Sequence, residues 1–273
     1  MAPMSSHGGQ SILRVALHDR PAVVIKLNPT EAHGALVEEA AGLARLRATK
    51  TVRVPDVLFI GFACDQSALI MEAFEIVRAD EAAWARFGRS LAALHQTSAG
   101  ARYGFDHDNH CGPTPQCNDW CDDWVEFNRR HRLGAQCDLA VMRGVLNPDE
   151  VRAVRDLIEH LDHVVPAHPT PALLHGDLWS GNALPADDGD GGCDIAVIDP
   201  ACSIGDGWAD IAMMRLFGGF PRICEQAYAE CIEVPDDVEQ RILVYQLYHL
   251  LNHLNLFGRG YADQVMSHVR RLR

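Results

Sequence analysis

Apolar side chains alternate with polar ones over short runs in the first quarter of the chain, then recur at helical spacing over most of the rest. GGQSILRVAL (8–17) and AVVIKL (22–27), joined by the turn HDRP, read as a strand entered from a glycine turn and its hairpin partner. A helix rich in Ala, Leu and Glu follows, with Thr30 as its cap, an end near Arg47, and Leu36, Leu43 and Leu46 on its apolar side. RVPDVLFIGF (53–62) and SALIMEAF (67–74) read as two further strands, and the small, polar first seven residues as a frayed end. Together these elements predict a small antiparallel sheet carrying one helix.

From about Val77 the period becomes helical. Residues 80–97 put Trp84, Phe87, Leu91 and Leu94 on one face. After a polar loop at 104–116, further helices are predicted over 119–133 and from Pro148 to near Pro166. DGDGG (188–192) reads as the turn between two short strands, and from Asp206 the chain reads as helix to its end. The apolar run 242–257 is interrupted by Gln246, His249, Asn252, His253 and Asn255, so it reads as a buried helix rather than a membrane span. The change of period predicts an α+β, two-lobed arrangement. A nucleotide-binding sheet lobe covers 1–74 and a larger, mostly helical catalytic and substrate-binding lobe covers 75–273.

The stretch that carries chemistry is HGDLWSGN (175–182), followed 22 residues after its Asp by Asp199 at the end of the apolar strand IAVID. A turn-only reading explains the Asp, Asn and Gly content. It does not explain an Asp five positions before an Asn with a second Asp on the next strand, which is the spacing of a phosphoryl-transfer loop. Such a reaction needs an acceptor hydroxyl held in place and charge neutralised around the phosphates. Asp177 is then the base, and Asn182 and Asp199 are hard oxygen ligands for Mg²⁺. Lys26, ending the strand after the glycine turn, is placed to grip the α- and β-phosphates of ATP, with Gly8, Gly9 and Ser11 over the same phosphates. Glu38 and Glu39 both sit mid-helix. Glu39 shares helical spacing with Leu36, Leu43 and Leu46, so it is the expected partner of Lys26. Met71, Glu72 and Phe74 fall at the joint between lobes, where backbone groups can read an adenine edge.

At 273 residues with 48% apolar and 22% charged side chains, the chain can bury a sizeable core. Its formal charge of −13 argues against a nucleic-acid or anionic-membrane partner. Nine cysteines, an odd number without a CxxC, in a chain lacking a signal-peptide pattern, read as reduced thiols of a cytoplasmic protein. His107, His110, Cys111, Cys117 and Cys121 are metal-ligand types, but their spacing matches no standard zinc pattern.

HGDLWSGN, DPA (199–201), LFGGFP (216–221), DDWVEF (122–127) and LLNHLNLFGRGY (250–261) together resemble the fructosamine kinase, or ketosamine-3-kinase, family, relatives of aminoglycoside and choline phosphotransferases within the protein-kinase-like fold. The resemblance spans nearly the whole chain. It implies ATP- and Mg²⁺-dependent transfer to the 3-hydroxyl of a ketosamine, free or on a glycated protein, with Asp177, Lys26, Glu39, Asn182 and Asp199 in the roles given above. The chain departs from the family pattern at Gly207 and Trp208, where Arg-Glu is usual, and at Asn128, where an aromatic is usual. Kinases for aminoglycosides, choline or sugars usually lack LFGGFP and the NHLNLFG helix; a nucleotide-binding pseudokinase would lack the base, lysine or metal ligand. Trp179, within the loop, is a substrate-wall candidate, with Trp124 and Asp206 as weaker ones. Trp124 shares a helical stripe with Trp120 and Phe127, which suits a core, and Asp206 and Asp210 can cap the next helix or brace the loop. His175 reads as a strut beneath the loop.

Overall fold

The computed structural model describes residues 2–7, 10–63 and 65–272. In chain order the elements are β1 (Ala2–His7), β2 (Gln10–Leu17), β3 (Arg20–Pro29), α1 (His33–Thr49), β4 (Val57–Ala63), β5 (Gln66–Glu72) and α2 (Glu81–Gln96). The hairpin β6 (Asn109–Cys111) and β7 (Thr114–Gln116) precedes α3 (Trp124–Phe127), α4 (Leu133–Arg143), α5 (Pro148–Glu159) and β8 (Pro171–Leu174). Next come β9 (Ala183–Asp187), β10 (Cys193–Val197), β11 (Ser203–Asp206), α6 (Trp208–Phe217), α7 (Arg222–Ala229), α8 (Val238–Phe257) and α9 (Ala262–Arg271). The small antiparallel sheet and helical remainder have the expected α+β character.

The chain separates into two compact units, each assembled from three segments. The first takes residues 1–94, 180–201 and 220–231; the second takes 95–179, 202–219 and 232–273. In the first, the five-stranded sheet has the order β1-β2-β3-β5-β4, antiparallel throughout. Its interior strand β5, between β3 and β4, buries Ala68, Leu69 and Met71, and α1 meets the sheet with Leu36, Leu43 and Leu46, each at most 1% exposed. Phe74 packs in a cluster with Ala186 and Ala196 of the β9–β10 hairpin. Arg53 ties the hairpin in, accepting from Val197 N at 2.8 Å and donating to the Asp187 carbonyl at 2.8 Å.

The second unit is built around α8. Leu247, Leu250, Leu251 and Leu254 are completely buried, and several polar residues on the same helix find partners inside the fold. Gln246 donates to the Ala212 carbonyl, Asn252 accepts from Thr114, and Asn255 donates to Gln136. Buried amides are tolerated because those bonds replace the ones lost from water.

Several local expectations are corrected. The polar first residues do not fray, since the backbone of Ala2–His7 pairs with β2; backbone pairing needs no hydrophobic pattern. Thr30 does not cap α1. Residues Thr30–Ala32 first make a 3-10 turn, and the helix then starts at His33 without a side-chain cap. The helix expected over 119–133 starts at Trp124, where Asp123 accepts from Glu126 N, and widens into a π-helical turn at Asn128–Arg132 before α4. The helix at Pro148 begins with a capping box from Asn147 and Glu150 but ends at Glu159. The chain before α6 makes β11, paired antiparallel with β8, a short strand without a visible alternation.

Candidate active site

In the first unit the site grows from β3 and α1. Pairing opposite Ile12 and Leu69 fixes Lys26 in mid-sheet, where it is only 5% exposed. A buried ammonium requires charged partners, and it has two: Nζ donates to Glu39 Oε1 at 2.8 Å and also contacts the Asp199 carboxylate. Glu39 reaches inward because it lies three residues after Leu36 and four before Leu43 on the buried face of the helix. Burial works against the Lys26 charge, but the two carboxylates outweigh it and hold its pKa above the ordinary lysine value. Burial and then repulsion from Asp199 push the Glu39 carboxyl upward against the pull of Lys26.

Asn182 and Asp199 come from opposite strands of one hairpin. Val197 pairs with Ala183, and the ladder continues one step, with Ile198 N donating to the Asn182 carbonyl at 3.1 Å. The DGDGG turn makes this possible: Asp188 accepts from the backbone of Asp190 and Gly192, closing the far end. Asp199 has a left-handed φ of 55°, uncommon for a residue with a side chain and tolerated best by Asp and Asn. A carboxylate and an amide oxygen carried at the same end of one hairpin are the hard oxygen donors a cation such as Mg²⁺ takes, few from protein and the rest from phosphate and water.

At the end of β5, Met71 is buried and Glu72 accepts from Asp56 N at 3.2 Å. Phe74 lies under the Arg53 guanidinium, 4.7 Å from its ring centre. Ser11 stands on β2 opposite Leu27. Gly8 and Gly9 lie outside the described residues.

In the second unit, β8 delivers the loop. His175 N and Gly176 N both donate to Asp210, at 2.8 and 2.9 Å, and His95 meets the same carboxylate at 3.2 Å. Asp210 therefore braces the loop rather than capping α6. Although burial opposes its charge, His95, His175 and the Gly176 amide hold its pKa below the ordinary Asp value. Asp177 N lies 3.3 Å from His175 Nδ1 and Trp179 N donates to the Asp177 carbonyl, so the turn is fixed on both sides of Asp177. Asp177 and Trp179 line a cavity of about 500 Å³ with Phe217, His253, Phe257 and Tyr261.

The other two tentative substrate residues are not in that cavity. Trp124 is 3% exposed, stacks on Phe127, and donates its indole N–H to the Tyr245 hydroxyl. Asp206 is equally buried and accepts from Tyr245, Arg241 and Trp208 N. Both hold the framework, as the helical stripe and the helix start allow. Nor are the five His and Cys residues of 107–121 gathered into one cluster among the described residues. Sequence reasoning missed His95 as partner of Asp210, and it read His249, Asn252 and His253 as interruptions. Their spacing of three to four residues on an apolar helix was the available signal.

A family model described as fructosamine kinase matches residues 5–273. A probable ketoamine kinase of Synechocystis is 41% identical over 246 residues, 90% of this chain and 81% of that protein. A chloroplastic protein-ribulosamine 3-kinase of Oryza sativa subsp. indica is 36% identical, covering 97% and 77%. Among solved structures, a proposed fructosamine-3-kinase from Thermobifida fusca superposes with a TM-score of 0.88 at 34% identity, over 99% of this chain and 92% of that one. An aminoglycoside phosphotransferase crystallised with ADP and hygromycin B shares the fold at 18% identity, with a TM-score of 0.65 over 99% and 91%. This chain belongs to the fructosamine kinase family.

Proposed function

We propose that the protein transfers the γ-phosphoryl group of ATP to the 3-hydroxyl of ketosamines, the adducts that glycation leaves on amines. The observation that carries this reading is Asp177, held on a loop pinned by Asp210, at the wall of an aromatic cavity large enough for a sugar adduct. Asp177 accepts a hydrogen bond from the 3-hydroxyl and takes its proton late. The hydroxyl oxygen bonds to the γ-phosphorus as the bond to the β-bridging oxygen breaks, and ADP leaves with that electron pair. Lys26, oriented by Glu39, neutralises the α- and β-phosphates, while backbone groups of Met71–Phe74 receive the adenine and Ser11 covers the phosphates. Asn182 and Asp199 are the residues that would hold Mg²⁺, which when bound withdraws charge from the phosphate oxygens. The aromatic wall of Trp179, Phe257 and Tyr261 suits the protonated amine and its substituent.

By role, residues 1–74 then serve the nucleotide, joined by Asn182 and Asp199 through the metal they would hold, and the rest of 75–273 serves the base and acceptor. No helix among the described residues is long and apolar enough to cross a membrane. The enzyme as proposed is cytoplasmic and acts on small or protein-bound ketosamines.

The test is ATP consumption with Mg²⁺ against ribulose- and fructose-amine adducts, an aminoglycoside, choline and free sugars. Turnover confined to the amine adducts is expected; turnover only on another acceptor would discard the ketosamine and leave a kinase. Asp177→Asn should lower turnover by about 100-fold or more while ATP still binds. An unchanged rate removes Asp177 as the base.

A further inference from the structure

Asp177 has two neighbours that the phosphoryl-transfer chemistry does not use. Cys111 Sγ, a ring nitrogen of His249 and an Asp177 carboxylate oxygen all lie within 4.8 Å of one another. These come from three elements: β6, α8 and the loop after β8. Cys111 is 2% exposed and His249 5%. His249 Nδ1 is buried with no hydrogen-bond partner among the described residues, although an orphaned buried polar atom is destabilising. Burial, with His253 and Arg132 nearby, lowers the His249 pKa to about 3, so the ring is neutral and keeps a lone pair to donate.

We propose that Cys111, His249 and Asp177 form a site for Zn²⁺ or another thiophilic divalent cation, and that filling it withdraws Asp177 from the acceptor hydroxyl. The donor set decides the class of ion. Sulfur and imidazole nitrogen favour zinc-like metals, whereas Mg²⁺ takes oxygens and is indifferent to a thiol. Ligand atoms around one tetrahedral zinc stand about 3.5 Å apart, so a contraction of about 1 Å closes the trio. The aromatic cavity supplies the entrance and a fourth position, since Cys111 and Asp177 both line it. On binding, the Cys111 thiol gives its proton to solvent and bonds to the metal as thiolate, with no change of oxidation state. Asp177 can then no longer accept a proton from the substrate.

The inhibitory half rests on Asp177 being the base; the binding half does not, and the two are read separately. Mg²⁺-free protein is titrated with Co²⁺ while the thiolate-to-metal charge-transfer absorption is followed. A band that saturates at one equivalent, disappears on adding Zn²⁺, and is lost in Cys111→Ser and His249→Gln is expected. It should survive in Cys117→Ser, because Cys117, Asp119 and His131 make a separate potential set. Each variant's melting temperature separates loss of the site from loss of the fold, and Cys111→Ser retains a side chain able to accept from Asn252, as Cys111 Sγ does at 3.7 Å. No band at one equivalent, or one that survives Cys111→Ser, overturns the site.

ATP turnover on a ketosamine is then measured with and without Zn²⁺ in excess Mg²⁺. At saturation Zn²⁺ should lower the wild-type rate at least tenfold, reversibly on chelation. Cys111→Ser should lose most of that sensitivity relative to its own metal-free rate. Equal inhibition of wild type and Cys111→Ser would place the effect elsewhere and overturn the inhibitory half. Metal bound at Cys111 and His249 without inhibition would overturn the inhibitory half and leave only the binding half standing.

Discussion

At the residue scale, one ammonium faces two carboxylates in the first unit, and the surplus charge has a measurable cost. Because burial and Asp199 raise the Glu39 pKa, its contribution to stability is complete below the ordinary value of 4.5 and is lost as pH rises through a folded value of about 7. Glu39→Gln should therefore remove a fall in stability between those pH values. It does not orphan Lys26, which keeps Asp199, so the variant should be at least as stable as wild type at neutral pH while its turnover falls. Urea unfolding from pH 4.5 to 7.5 checks this, and a variant markedly less stable at pH 7 would refute it. The sign is opposite at Glu150. Hydrogen bonding from Arg259 and from the Asn147 amide holds its pKa down against partial burial, so its contribution is present above the ordinary glutamate value and disappears as pH falls below it. Glu150→Gln should lower the melting temperature at pH 7, with the difference from wild type shrinking as pH falls through the lowered glutamate pKa, as thermal scans across that range would show. The Lys26–Glu39 pair was legible in the sequence because charged residues at fixed offsets from strand and helix periods have few alternatives. The His95–Asp210 brace was not, because its members are 115 residues apart and only the fold brings them together.

At the element scale, the π-helical turn at Asn128–Arg132 departs from the regular helix expected over 119–133, although the chain stays helical from Trp124 to Arg143. Apolar spacing reports which face is buried, and a turn widened by one residue shifts that face without leaving a signature in composition. Gly134 accommodates the widening, for a Cβ there would stand 1.9 Å from the Arg129 carbonyl oxygen. Gly134→Ala should destabilise the fold by about 1–3 kcal/mol, the usual range for overpacking, and equilibrium unfolding measures it directly. A neutral effect would mean that the turn relaxes to ordinary helix at no cost. The β1 edge strand and the β8–β11 pair were hidden for a related reason. Short strands held mainly by backbone bonds carry too few side chains for alternation to emerge.

At the scale of the whole molecule, the two compact units are interleaved along the chain. The fall from strand to helical period near residue 74 marks where the secondary structure changes. It does not mark where packing ends, because Phe74 shares its cluster with Ala186 and Ala196. A fragment ending at Leu94 lacks that hairpin and should fail to give a cooperative thermal transition; adding 180–201 through a linker should restore part of it. Cooperative melting of the 1–94 fragment alone would show that the hairpin is dispensable. That same hairpin has a further use. Its exposed DGDGG end is closed by its own Asp188, and five paired residues, about 16 Å of strand, separate it from the end that carries Asn182 and Asp199. A fluorophore attached at Asp190 would ride on a stiff arm whose other end reports on whatever occupies those two oxygens, giving the protein an optical sensor position outside its chemistry.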